Sequence, residues 1–200
     1  MRKGRVVILL LASVLVFASC ATKVSRIDED SVTDLSGYWN DIDVRTVADD
    51  LVTKCVNAPA ISNFIAENGR LPVVIVGRFR NQSDEHIDTS ILAKKFEAAL
   101  INSGKVDFVA SSDERADIRA EREDQQTQAS EETAKSLANE TGADFMLLGS
   151  VKTIVDSSGK ESIRTYYVDA QLVNIETNRK MWVESNSEIK KYIKRASTRF

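Results

Sequence analysis

The feature that most constrains the fold is an uninterrupted run of four β-branched residues, Val73-Val74-Ile75-Val76. A continuous apolar run is typical of a strand that is buried on both faces of a sheet. A polar loop is predicted from Gly77 to Glu85. Residues 88–103 then predict an amphipathic helix, and residues 106–110 a short strand, so that the three segments form a β-α-β unit. The inward face of the helix is expected to hold Ile91, Leu92, Phe96, Ala99 and Leu100.

Two helices are predicted before this unit. Asp41 can cap the first helix, in which apolar residues recur three and four positions apart from Val44 to Cys55. A second, shorter helix is predicted from Ala60 to Asn68, because Gly69 supplies a typical C-terminal stop. Both helices should place their apolar sides against the sheet.

The last third of the chain predicts three further strands, at residues 143–155, 161–175 and 180–187. Short polar turns join them, and such connections are typical of an antiparallel meander. In the middle strand, apolar Val168, Ala170 and Leu172 alternate with polar neighbours, as expected for a strand with one buried face. The fold class is therefore predicted to be α/β, with a mixed β-sheet flanked by helices.

The N-terminal residues 1–19 predict an export signal. Arg2, Lys3 and Arg5 precede an apolar run that ends at Phe17, and small residues lead to Cys20. The run is shorter than the roughly 20 apolar residues that a membrane-spanning helix needs. The stretch from Phe17 to Cys20 resembles the bacterial lipobox, which implies cleavage before Cys20 and lipid attachment to its thiol. An ordinary cleaved signal with an incidental cysteine is the alternative.

Residues 20–40 are predicted to form the lipidated cysteine and a short polar tether, and residues 41–200 one globular domain. Twenty residues reach at most about 70 Å when fully extended, which keeps the domain close to its membrane. After cleavage, Cys55 is the one thiol besides the lipid-bearing one, so no disulfide within the domain is expected. Cys55 is interpreted as a small buried apolar residue.

The sequence does not predict an enzyme. The one histidine, His86, lies in a polar stretch and is interpreted as a loop residue, and no His or Cys spacing supports a zinc site. A glycine-rich phosphate loop is also absent from the sequence. The formal net charge of −3 disfavours nucleic-acid binding. We therefore expect no catalytic residue, no metal, no cofactor and no small-molecule substrate.

Two charged segments are candidates for contact with partners. In the predicted helix 112–126, Arg115, Arg119 and Arg122 share one stripe, and like charges one turn apart are mildly destabilising unless they are compensated. The stripe is either a solvated face or a protein-docking face. The basic residues 189–200 are either a solvated tail or a segment that contacts anionic lipid or wall polymer.

Several short motifs carry a resemblance to a known family. They are Ser36–Asp41, Pro72–Gly77, Arg80-Asn81-Gln82-Ser83 followed by Glu85–Asp88, Ile101–Val106 and Gly142–Leu147. In this order they resemble the penicillin-binding-protein activator LpoB family, from about Ser36 to Arg195.

The resemblance implies a domain similar to the N-terminal domain of TolB and to the periplasmic domain of the curli secretion lipoprotein CsgG. It also implies a function: a non-enzymatic lipoprotein that binds a class A penicillin-binding protein and activates peptidoglycan synthesis. The family's docking surface includes the segment after the first core strand, which here corresponds to Arg80, Asn81, Gln82 and Ser83. An envelope location facing the periplasm, on the outer membrane, is expected.

Alternatives remain open at this point. The best-known members of the family have a long Pro-rich tether, whereas this tether is short, so inner-membrane anchorage, a thinner periplasm or a different partner are alternatives. A CsgG-like component of an envelope secretion complex is the second functional hypothesis. A small hydrolase that uses His86 is the third.

Overall fold

The computed structural model describes residues 24–28, 31–110, 114–121 and 142–196. The chain divides into two compact units, Met1–Thr33 and Asp34–Phe200. In the first unit, the Ser31 hydroxyl donates a hydrogen bond to the Asp28 carbonyl at 2.7 Å. The predicted lipid-bearing Cys20 and the predicted docking residue Arg122 lie outside the described residues. Within those residues, no helix has the length and apolarity that a membrane crossing needs.

The described part of the second unit contains four helices, whose bounds are α1 Asp41–Val56, α2 Pro59–Asn68, α3 Thr89–Asn102 and α4 114–121. Asn40, rather than the predicted Asp41, caps α1. The Asn40 side chain accepts a hydrogen bond from the Asp43 backbone N–H, and the Asp43 carboxylate accepts one from the Asn40 N–H. This reciprocal pair is a capping box, and it stabilises the first turn of the helix. The predicted stop of α2 is confirmed, because Gly69 is left-handed.

Six strands form one mixed sheet, with bounds β1 Val73–Asn81, β2 Asp107–Phe108, β3 Phe145–Ser158, β4 Glu161–Asn174, β5 Lys180–Asn186 and β6 Lys190–Lys194. The order is β2-β1-β3-β4-β5, and β6 also pairs with β4. The strand β1 is parallel to β2 and to β3, whereas β3, β4 and β5 are antiparallel neighbours. The predicted β-α-β unit, the meander and the mixed sheet flanked by helices are confirmed.

The core lies between the helices and one face of the sheet. Alternate residues of β4, from Tyr166 to Leu172, are buried against it, together with α1 and the inward side of α3. Ile91 was predicted to belong to this core, but it is 55% exposed, because it lies beside rather than on the stripe that Leu92 and Phe96 form. We call the opposite side of the sheet the outer face.

Three segments differ from the sequence predictions. The strand β1 does not end at Gly77, since a β-bulge between Val76 and Phe79 lets it continue to Asn81. The predicted basic tail begins as a strand, because β6 pairs with Glu161–Thr165 of β4. Residues 34–40, which the sequence analysis assigned to the tether, belong to the globular unit and contact β6 through Lys191.

Candidate functional site

The outer face of β1 presents a row of polar side chains. Arg78 and Arg80 lie on either side of the inward-facing Phe79, Gln82 follows the end of the strand, and all three polar side chains are exposed. The bulge explains this arrangement, because it brings Val76 and Phe79 both toward the core and leaves Arg78 and Arg80 on the other side. At about 3.3 Å per residue, the row extends over roughly 13 Å.

This row borders a shallow concavity of about 670 Å³ on the outer face. Leu148 and Ser150 of β3 form part of its floor, and Lys152 and Lys180 contribute two further cations. We call Arg78, Arg80, Lys152 and Lys180 the basic face. Four cations and a single carboxylate, that of Asp169, line the concavity.

Asp169 is held in its charged form by its neighbours. Lys152 Nζ lies 2.9 Å from Asp169 Oδ2, and the Ser150 hydroxyl lies 3.4 Å from the same oxygen. Burial alone raises the pKa of Asp169, but the hydrogen bonds from Lys152, Ser185 and Ser150 outweigh it, so its pKa lies below the usual value. Asp169 therefore neutralises Lys152. Among the described residues, Arg78, Arg80 and Lys180 make no ion pair.

The four residues predicted from the family's docking segment have two different roles. Arg80 and Gln82 lie on the outer face and border the concavity. The Asn81 side chain instead donates to the Glu85 carbonyl at 2.7 Å and accepts hydrogen bonds from the N–H and hydroxyl of Ser83. Asn81 and Ser83 therefore shape the turn, whereas Arg80 and Gln82 lie at the concavity.

A buried ionic cluster lies directly beyond this turn. The Arg164 guanidinium donates to Asp84 Oδ1 at 2.7 Å and pairs with Glu85, whose other contact on the same oxygen is the Tyr166 hydroxyl. The side chains of Arg164 and Glu85 are each only 9% exposed. Burial, and then the Glu85 carboxylate, raise the pKa of Tyr166, so its hydroxyl stays protonated as a donor. Thr153 holds the same loop, because its hydroxyl accepts from the Asp84 N–H at 3.2 Å.

Residues 34–40, which we call the strap, cover this cluster. The Trp39 N–H donates to Glu85 Oε2 at 3.1 Å, and its ring lies 5.1 Å from the Tyr166 ring. The Tyr38 ring lies 5.1 Å from the Arg164 guanidinium, a distance suitable for a cation–π contact. The sequence predicts a polar tether for these residues. It does not reveal the strap, because β6 and the loop with Asp84 and Glu85 come next to it only in the folded chain.

Lys191 of β6 binds the N-terminal end of the strap. Its ammonium lies 2.6 Å from a carboxylate oxygen of Asp34, 2.6 Å from one of Asp43, and 2.8 Å from the Tyr38 carbonyl. Burial raises the pKa of Asp43, although Lys191 and the Asn40 N–H lower it. The strap is therefore fixed at Asp34 and at the peptide between Tyr38 and Trp39, whose carbonyl accepts from Lys191 and whose N–H donates to Glu85.

The predicted arginine stripe does not join the basic face. Glu114, at the start of α4, pairs with Lys94 of α3 at 2.7 Å, so this helix begins beside the helical layer. Arg119 is exposed and Arg115 is half-buried on α4. The outer face with Arg80 lies on the other side of the sheet. The structure thus brings Arg80 and Gln82 together with Lys152 and Lys180, and leaves Arg115 and Arg119 elsewhere.

His86 is exposed in the loop before α3, as its interpretation as a loop residue predicts. Over the described ranges, no three His, Cys, Asp or Glu side chains are grouped so that they could hold a metal ion. Cys55 is buried in α1, as predicted, and burial raises its pKa to about 12.

Comparison with known proteins identifies one family. The model of the family described as peptidoglycan-synthase activator LpoB matches residues 43–188.

Three solved structures are similar at low identity. The LpoB C-terminal domain from Salmonella enterica is 16% identical, with coverage of 76% of this chain and 99% of that chain and a TM-score of 0.42. The NMR structure of Escherichia coli LpoB is 15% identical, with coverage of 87% and 82% and a TM-score of 0.43. Lipoprotein GNA1162 from Neisseria meningitidis is 18% identical, with coverage of 64% and 88% and a TM-score of 0.38. No curated protein sequence gives a significant match.

Proposed function

The chain belongs to the family of the peptidoglycan-synthase activator LpoB, and from this membership we propose that it binds a class A penicillin-binding protein and activates it without catalysing a reaction itself. The observation that carries the proposal is the family match, which extends from the first turn of α1 to just beyond β5. The described geometry agrees with a binding role, since the outer face carries a shallow, open, charged surface.

The basic face is the surface that we assign to the synthase. Arg78, Arg80 and Lys180 are not neutralised by described neighbours, so docking a carboxylate-bearing surface there removes no existing ion pair. The resulting attraction speeds association and selects an acidic partner surface. Gln82 at the end of the row adds an uncharged hydrogen-bonding group that can fix the register of the contact.

Activation requires only unequal binding of two synthase conformations. A protein that binds the active conformation better than the resting one shifts the population toward activity, and a coupling of about 1–3 kcal/mol corresponds to a 5- to 150-fold effect. A binding surface without reactive groups is sufficient for this mechanism. The same argument explains why an activator of this kind needs no cofactor.

We further propose that the protein works as a lipoprotein of the cell envelope, facing the periplasm, with Cys20 acylated after cleavage of residues 1–19. The polar segment that follows Cys20 would then hold the globular unit near the bilayer, on the outer membrane. Mass spectrometry of the N-terminal peptide from the native envelope tests this part. An unmodified Cys20 thiol would contradict it.

The function is tested with purified full-length protein and each bifunctional penicillin-binding protein of the source organism. We expect micromolar or tighter binding to one of them and a faster rate of glycan polymerisation from lipid-linked precursor. Replacing Arg78 and Arg80 together by Glu should weaken binding by at least about tenfold, mostly through slower association, and the loss should shrink as salt increases.

Lys95→Glu is the matched control for the single charge reversal Arg80→Glu, which should weaken binding in the same way but by less. Lys95 is exposed on α3, on the helix-covered side of the sheet, and its replacement makes the same kind of charge reversal far from the basic face. Equal effects of the two substitutions would show that net charge, not the basic face, governs binding. Absence of binding by the wild-type protein to every synthase would refute the proposed function.

A further inference from the structure

The strap and the basic face are linked through one loop. Gln82 borders the concavity, and its N–H donates to the Val151 carbonyl at 2.8 Å. Three residues later, Glu85 accepts the Trp39 N–H and pairs with Arg164. The loop 82–85 is therefore attached to the sheet at one end and to the strap at the other.

The strap covers the attachment at Glu85. An ion pair gains strength when water is excluded, because the effective dielectric constant falls. Tyr38 lies over the Arg164 guanidinium and Trp39 lies against Tyr166, so these two rings exclude water from the Glu85–Arg164 pair. Without the strap, the pair would be solvated and its contribution to stability would fall toward the small contribution of a surface salt bridge.

The Glu85–Arg164 pair is a suitable place for such control, because Arg164 also binds Asp84 in the same loop. Weakening Arg164 therefore releases two successive loop residues. Of the contacts that remain, those from Asn81 to the Glu85 carbonyl and between Thr153 and Asp84 are exposed hydrogen bonds, and the Tyr166 hydroxyl still donates to the Glu85 carboxylate. The end of the docking row should then sample more conformations before it meets a partner.

We propose that the strap, residues 34–40, is a positioning element for docking, which holds loop 82–85 in its binding conformation by sealing the Glu85–Arg164 pair. This inference rests on the proposed function, since it concerns the same docking surface. The strap lies before the family-matched residues 43–188, and although its stretch from Ser36 resembles a motif of the family, that resemblance assigns it no role.

Gly37→Val should displace the strap from β6. Gly37 has a φ of +73°, which a β-branched residue adopts only with strain, and a Cβ there would lie 2.6 Å from Cγ1 of Ile193. Gly69→Val is the matched control, because Gly69 has a φ of +66° but a Cβ added to it would meet no atom within 4 Å. Both variants carry similar backbone strain, and only the first crowds the strap.

The first measurement is amide hydrogen exchange of the full-length protein alone. In Gly37→Val, the amides of Trp39, Asp84 and Glu85 should exchange faster than in the wild type, whereas those of β4 should not change. Gly69→Val should leave all of them unchanged. Fast exchange at Trp39 with unchanged exchange at Asp84 and Glu85 would show that the strap does not hold the loop, and would overturn the inference.

The second measurement is affinity for the synthase and the activation reached at saturation. Ordering a loop on binding typically costs about 1 kcal/mol or slightly more, so Gly37→Val should bind about five- to tenfold more weakly. Activation at saturation should stay at the wild-type level, because the docking side chains are intact. Binding within twofold of the wild type, with the strap displaced, would also overturn the inference.

Trp39 provides a second test with less strain. Trp39→Phe keeps an aromatic cover and the backbone N–H, and should retain most of the affinity, whereas Trp39→Ser should behave like Gly37→Val. Equal binding by the two would argue against sealing by the ring. If the wild-type protein binds no synthase but the exchange of Asp84 and Glu85 still follows the strap, the proposed function fails and the coupling of strap to loop stands.

Discussion

Gly149→Ala should destabilise the protein strongly, because the added methyl group has no room. A Cβ at Gly149 would lie 2.1 Å from Cε1 and 2.5 Å from Cδ1 of Phe79, and 2.6 Å from the Asp169 carbonyl oxygen. Phe79 is 2% exposed and stacks on the fully buried Phe96, with ring centroids 4.8 Å apart. Neither the ring nor the neighbouring strand can move away freely.

The magnitude follows from these contacts. Overpacking a core by one methyl group costs roughly 1–3 kcal/mol, and displacing Phe79 also weakens an aromatic pair worth about 0.5–1.5 kcal/mol. We expect a loss of about 2–3 kcal/mol in the free energy of unfolding. For a globular unit of this size, that loss lowers Tm by about 4–12 °C.

Urea unfolding at equilibrium measures the effect, and a double-mutant cycle tests its cause. Phe79→Leu removes the ring atoms that meet the new methyl group, so the Gly149→Ala change should cost at least about 1 kcal/mol less in that background. The rescue should be partial, because the Asp169 carbonyl remains. Gly142→Ala is the control, since nothing lies within 4 Å of the methyl group that it would gain. A Gly149→Ala variant within about 0.5 kcal/mol of the wild type would refute the reasoning.

Two further predictions concern single side chains. Cys55 is buried and its pKa is raised to about 12, so its thiol should not react with a thiol-exchange reagent in the native protein at pH 8. It should react fully in urea, provided that Cys20 is acylated or changed to Ser. Rapid reaction of the native protein would contradict the burial of Cys55. Asp144 accepts two hydrogen bonds of 2.7 Å from Arg70, and they lower the pKa of its carboxyl group below 3.8. The contribution of this pair to the stability of the fold is therefore complete above about pH 5, and it is lost as pH falls through the lowered pKa. Asp144→Asn should therefore cost about 1 kcal/mol in unfolding experiments at pH 7 and less at pH 3, and an equal cost at both values would refute this sign.

The order of elements was predictable wherever apolar periodicity is local. Local apolar patterns predict the secondary structure of three segments: the stripe of α1, the continuous run Val73–Val76 and the alternation in β4. The strand β6 was not predictable in this way. Its sequence, Lys190–Lys194, carries three lysines, and it becomes a strand because Glu161–Thr165 of β4 offers a pairing partner.

The candidate site was predictable only where it is contiguous in sequence. Arg80 and Gln82 follow the first core strand and could be found from the resemblance of that segment to a known family. Lys152 and Lys180 lie on β3 and β5, and only the register of the sheet brings them to the same face. The contact between Glu85 and Arg164 joins residues 79 positions apart, which no local pattern reveals.

The docking surface and the core are two sides of the same strand, and this relation predicts how substitutions in one affect the other. Phe79 lies between Arg78 and Arg80 in sequence and packs on the opposite face of the sheet. Gly149 has no side chain, which leaves space for the Phe79 ring. A change that shifts Phe79 must move the backbone that carries both arginines. Core substitutions at this position should therefore weaken docking as well as stability, whereas substitutions of equal cost in α2, which contributes no residue to the concavity, should lower stability alone.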